Sequence, residues 1–208
     1  MISAEFLLTA IIVVLAPGTG VIFTLASGLA GGRNAAIAAA FGCSIGILPH
    51  LAAAILGLAA ILHASALLFQ VVKIAGVLFL LWMAWQSLRD KGSLSLQGAT
   101  SGMGSPRGLG SIAVKAALIN ILNPKLSLFF LAFLPQFLSG DTSRASLEMS
   151  LLGLIFMAMT FAIFVVYGTF AAAARDKVLG NPRILQTMRY GFAAAFAGLG
   201  LKLAFTRA

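Results

Sequence analysis

Asn120-Ile121-Leu122-Asn123-Pro124-Lys125 interrupts a long apolar run in the second half of this chain, and Ala16-Pro17-Gly18-Thr19-Gly20 interrupts another near its start. A proline within a helix removes one backbone donor and crowds the preceding turn. Lipid has nothing to offer the carbonyl left over, so each gap must face protein, water or substrate. The two prolines stand at similar depths in the first apolar segment of their halves. Broken helices in matching places point to a transporter.

Composition supports a membrane setting. The chain has 208 residues, 61% apolar and 9% charged, and its mean hydropathy of +1.05 lies far from that of soluble domains. Residues 6–32, 34–72 and 149–174 contain no Asp, Glu, Lys or Arg, whereas one crossing needs only about twenty apolar residues. Glu5 and the lack of a basic leader make the first segment a retained helix rather than a cleaved signal. A single cysteine, Cys43, cannot form an internal disulfide. The net charge of +9 is scattered through short loops without interleaved aromatics, which argues against nucleic acid and for topology.

Six helices are expected: Ser3 to Leu29, Ala35 to Leu62, Ala66 to Leu88, Ser111 to Phe137, Leu147 to Ala173 and Ile184 to Phe205. The sixth crosses only if Arg189 and Lys202 snorkel to opposite interfaces. Arg33 marks the first loop, Arg89, Lys91, Arg107 and Lys115 surround the third, and Arg175, Lys177, Arg183 and Arg189 surround the fifth. Odd loops are therefore cytoplasmic and both termini outside. Residues 91–110 turn to Gly, Ser, Thr and Pro and form a cytoplasmic linker between a first repeat, 1–90, and a second, 111–208. The expected fold is thus an all-α integral membrane protein in a single transmembrane domain. Its six helices form a 3+3 inverted repeat, with helices 1 and 4 broken.

Several residues carry possible chemistry. Rows of small residues, Gly28 and Gly32, then Ala38, Gly42 and Gly46, let helices approach closely, chiefly for packing and alternatively as sliding surfaces. Lys73 and Lys125 lie inside expected helices that contain no Asp or Glu, and a buried cation is costly there without a partner. For Lys125 two readings stand: a substrate carboxylate held against the amides of Gly18, Thr19 and Gly20, or a structural contact to carbonyls freed by the break. Lys73 can instead snorkel outward. Asn120, Asn123 and Ser127 share one face beside Pro124, and Thr160 and Tyr167 form a weaker stripe. His50 follows Pro49 on the Gly42 and Gly46 row, with Cys43 on about the same face; it is either a coupling group or a hydrogen-bonded structural histidine. With one Cys and no further ligand nearby, no metal site is expected. No cofactor is expected, and soluble catalytic signatures are absent, so an enzyme is not expected.

These residues resemble the lysine exporter and homoserine/threonine exporter (LysE/RhtB) family of small bacterial amino-acid efflux proteins over nearly the whole chain. The resemblance rests on Pro17-Gly18, Gly28, Gly32 and Arg33, on Gly42, Gly46 and His50, and on Lys73, Gly76 and Trp85. Most specific is the block Asn120, Asn123-Pro124-Lys125, Phe129-Phe130 and Pro135-Gln136-Phe137. One departure is Thr19, where the family commonly continues with a second proline. The resemblance implies an inner-membrane exporter of amino acids, driven by the proton gradient, and a homodimer in the lipid bilayer. With no intramembrane acid to receive a second positive charge, neutral amino acids such as homoserine, threonine or leucine are expected over lysine. Alternatives are export of another small solute or cation, or a non-transporting membrane subunit.

Overall fold

The computed structural model describes residues 2–16, 18–64, 71, 74, 78, 81, 85, 108–141 and 143–173, with backbone alone for 58–64. Residues 91–107 of the expected linker, the expected sixth helix, Pro17 and Lys73 lie outside them, and the last two linker positions, 109 and 110, are helical rather than linker. Among the described residues every regular element is helical. α1 (Ala4–Leu15) opens on Ser3, whose hydroxyl accepts the amide of Phe6. It ends where Ala16 turns extended, at φ −61° and ψ 128°, because a residue before proline is pushed out of the helical region. The helix resumes at Thr19 behind Gly18, as α2 (Thr19–Ile45).

α2 is not one rod. Gly28 and Ala36 both pack against Gly168, yet residues eight apart in a straight helix stand about 12 Å apart. The chain doubles back at Gly32, whose φ of 73° suits glycine alone. Residues 19–31 and 33–45 are therefore two antiparallel passes. The second continues through a turn at Gly46 and Ile47 into α3 (Leu48–Ala64). The expected unbroken helix from Ala35 to Leu62 is thus interrupted. Pro49 has no N–H for the carbonyl of Ile45, and that missing donor explains the turn.

α4 (Leu109–Ile121) is followed by Leu122 and Asn123, then by α5 (Pro124–Leu128), a π-helical turn (Phe129–Phe133) and a 3-10 turn (Leu134–Phe137). The two arms bend by 52° at the gap. α6 (Ala145–Ala173) is long and apolar enough to cross a membrane by itself. Val71, Ile74, Leu78, Leu81 and Trp85 are helical and exposed, an apolar stripe of the kind lipid covers.

Contact register gives the directions. Gly42 meets Ala113, Gly46 meets Ala117 and His50 meets Asn120, so residues 33–50 run parallel to α4. Gly20 meets Phe164 and Thr24 meets Gly168, so the first pass of α2 runs parallel to α6. Ala36 on Gly168 and Leu51 on Gly153 show the second pass running against it. Close approach depends on missing side chains: a Cβ on Gly28 would strike the carbonyl of Gly168, and one on Gly42 that of Ala113. Below them, Phe129, Phe130, Phe133 and Phe156 interlock by stacked and edge-on ring contacts.

Candidate functional site

The two proline interruptions meet, and each leaves one carbonyl without its helical donor. In an α-helix the carbonyl of Val13 would accept from the amide of residue 17, and that of Asn120 from residue 124; both positions are proline and carry no N–H. Lys125 supplies the first missing donor. Its ammonium donates to the carbonyls of Val13 at 3.0 Å and Ala16 at 3.1 Å. This is the carbonyl contact foreseen as one of the two readings of that lysine. A cation at the C-terminal end of α1 also complements the helix dipole. Among the described residues Lys125 makes no ion pair; a bridge on the surface joins Arg144 to Asp141.

At the second gap the Asn120 carbonyl accepts the Asn123 amide at 3.1 Å in a tighter turn, and His50 adds a further contact to it. Its Nε2 lies 3.0 Å from the Asn120 carbonyl, and its Nδ1 lies 3.0 Å from the Ser127 hydroxyl. One imidazole thus clasps the chain before and after the gap. Asn123 begins the second arm as the N-cap of α5: its side chain accepts the Lys125 amide at 3.1 Å, and Pro124 takes the first helical position, where no donor is needed. Asn120 ties the arms to α2 by donating from Nδ2 to the Cys43 carbonyl at 2.6 Å, and its Oδ1 accepts from Asn123 Nδ2 at 3.3 Å.

Between the breaks lies a pocket of about 20 Å³, lined by Gly18, Gly20, Asn120, Asn123, Lys125 and Thr160 on the polar side. Val13, Val14, Val21, Leu126, Phe156 and Phe164 form its apolar wall. A cavity of that size takes one water and no amino acid, so a solute enters only if the arms part. A Cβ on Gly18 would stand 3.2 Å from Lys125 Nζ and 3.8 Å from Asn123 Nδ2. The uncapped start of α2, the lysine and the asparagine thus face one place.

The structure brings most of the expected residues together, but not all. Thr19 is exposed and does not line the pocket. It is the first residue of α2, and the helical turn points the next residue, Gly20, inward instead. Pro124 shapes the gap while lying exposed itself. Ser127, expected on the pathway face, contacts His50 rather than the pocket, because the 52° bend turns it away from Asn120 and Asn123. Tyr167 donates to the Leu15 carbonyl at 3.1 Å and so steadies the end of α1 without lining the cavity. The wall residues Val13, Val14, Phe156 and Phe164 escape a reading of sequence, since nothing marks them among many apolar neighbours.

Apolar side chains outside and a satisfied polar cluster inside define a polytopic helical membrane protein. Among the described residues no buried side-chain nitrogen or oxygen lacks a partner. The chain belongs to the LysE type translocator family, whose model matches residues 11–207. It is 26% identical over 202 residues to the homoserine/homoserine lactone efflux protein of Salmonella typhimurium, covering 97% of this chain and 95% of the relative. It is 29% identical over 206 residues to the leucine efflux protein of Enterobacter sp. (strain 638), covering 93% and 94%. Against the threonine efflux protein of Salmonella typhi it is 30% identical over 202 residues, covering 95% and 94%. No solved structure matches the chain.

Proposed function

We propose that this protein exports neutral amino acids such as homoserine, threonine or leucine across the bacterial inner membrane, by alternating access coupled to the proton gradient. The observation that carries this reading is the meeting of both interruptions at Lys125. A lysine from the second half holds the freed carbonyls of the first, beside the start of α2. In the loaded state the substrate carboxylate lies between the Lys125 ammonium and the first amides of α2, where charge-assisted hydrogen bonds and the helix N-terminus both favour an anion. Asn120 and Asn123 orient it, and the wall of Val14, Phe156 and Phe164 receives an uncharged side chain. The names of the relatives support an amino-acid cargo. Neutral cargo is favoured because the pocket lining contains no carboxylate for a second positive charge.

In the full chain the two breaks belong to helices 1 and 4 of a 3+3 inverted repeat, with both termini outside, and two copies pair in the lipid. The opposite directions of the first pass of α2 and of α4 support the inversion. Efflux from cells loaded with dipeptides tests the function. Lys125→Ala and Asn123→Ala are expected to abolish efflux while still inserting in the membrane, and Lys115→Ala to leave it near normal. Equal activity in all three removes the site. Selective loss of lysine, with leucine, threonine and homoserine retained, overturns the preference for neutral cargo.

A further inference from the structure

We infer that His50 and Ser127 form the proton-carrying site of the transport cycle, separate from the substrate pocket and joined to it through Asn120. The inference rests on the export reading above and deepens its coupling step. The Asn120 carbonyl only accepts, so Nε2 of His50 must carry hydrogen and donate to it. In the neutral ring Nδ1 is then bare and accepts from the Ser127 hydroxyl. When a proton arrives, Nδ1 gains an N–H bond and donates to the same Ser127 oxygen, which accepts as readily as it donates. The Ser127 hydrogen then turns toward the carbonyl of Asn123 in the preceding turn. Both charge states keep both contacts, which is what a buried group needs to load and unload a proton without stranding a partner.

Ser127 is set apart by its choice of partner. Thr24, Ser27, Ser44, Ser150, Thr160 and Thr169 each donate to the carbonyl four residues earlier, the usual habit of a hydroxyl in an apolar helix. Ser127 instead engages the imidazole. His50 is 7% exposed and does not line the pocket. Asn120 connects the two places: its carbonyl touches His50 while its side chain touches the Cys43 carbonyl, Asn123 and the cavity. Charging the imidazole tightens its hold on the Asn120 carbonyl and so biases the bend on which the pocket depends. The other titratable groups on the described elements around α3 are Lys125 on α5, Glu148 and Tyr167 on α6, Lys115 on α4, and Arg33 and Cys43 on α2. None of them is hydrogen-bonded to the ring.

The test reconstitutes the full chain in liposomes whose lumen is one pH unit more acidic than the bath. The wild type is expected to concentrate labelled homoserine inside by up to about ten-fold per coupled proton. His50→Gln is expected to stop at a ratio of about one, yet to exchange labelled for unlabelled homoserine within about two-fold of the wild-type rate, since exchange needs binding and rocking but no net proton movement. Ser127→Thr keeps a hydroxyl and should accumulate, whereas the isosteric Ser127→Val should exchange only. Changing the bath pH at constant gradient should alter the initial rate of uptake in the wild type and Ser127→Thr, and leave the exchange rate of His50→Gln flat. Wild-type accumulation by His50→Gln or Ser127→Val overturns the inference, as does loss of exchange in folded Ser127→Val, which marks a purely structural contact. A wild type that exchanges but never accumulates overturns the coupling and spares the export reading. A wild type that exchanges none of homoserine, leucine or threonine overturns both.

Discussion

The two breaks solve the same backbone problem in different ways. At the second, the helix restarts on Asn123 and Pro124, a cap and a first residue that leave little unsatisfied, and the Asn120 carbonyl takes the Asn123 amide with a further contact from the His50 imidazole. At the first, the restart is Gly18, which has no side chain to cap with, and the freed carbonyls fall to a cation from the other break. The second interruption is therefore self-contained on its α3 side, while the first is open toward the cavity and electrostatically unfinished. In the proposed transport cycle, that asymmetry gives recognition to the first break and coupling to the second.

The most severe way to break the comparison is to force α2 and α4 apart beside the second gap. Gly42→Val places side-chain carbon where the Ala113 carbonyl stands, and backbone on both sides cannot yield. The expected outcome is loss of monodisperse protein on size exclusion in detergent. A smaller effect comes from Lys125→Met, which keeps length but strands the Val13 and Ala16 carbonyls. It should lower stability by about 1–3 kcal/mol, read as a fall in thermal midpoint, and abolish efflux. Sharper still is a pair of double-mutant cycles. Pro17→Ala returns an amide donor for Val13, so Lys125→Met should cost less stability in that background, by about 0.5–1 kcal/mol. The pair Pro17→Ala with His50→Gln, which touches different carbonyls, should simply add. Lys115→Ala should do least. Its ammonium lies 5.7 Å from the centroid of the Phe23 ring, a contact worth about 0.5–1 kcal/mol at most in an accessible place, and transport should persist.

Much of this arrangement was legible in the residues. Proline chemistry places a backbone interruption at Pro17 and at Pro124, and the absence of intramembrane acids shows that Lys125 needs an acceptor elsewhere. The small residues Gly28, Gly42 and Gly46 read correctly as packing surfaces because a missing Cβ has one direct consequence. What sequence could not decide was which acceptor Lys125 chose, since carbonyls of another helix leave no mark in the local pattern. The turn at Gly46 and Ile47 was signalled by Pro49 but lies inside a run whose hydropathy never falters. Thr19 and Ser127 were misplaced for a shared reason: helical periodicity predicts a face only while the helix continues, and both residues sit just beyond a break.

Binding of labelled homoserine to the purified protein tests the division of labour between the breaks most directly. The account predicts that Lys125→Met and Asn123→Ala lose binding while His50→Gln keeps it. Binding that survives in Lys125→Met, or disappears equally in His50→Gln, would contradict it.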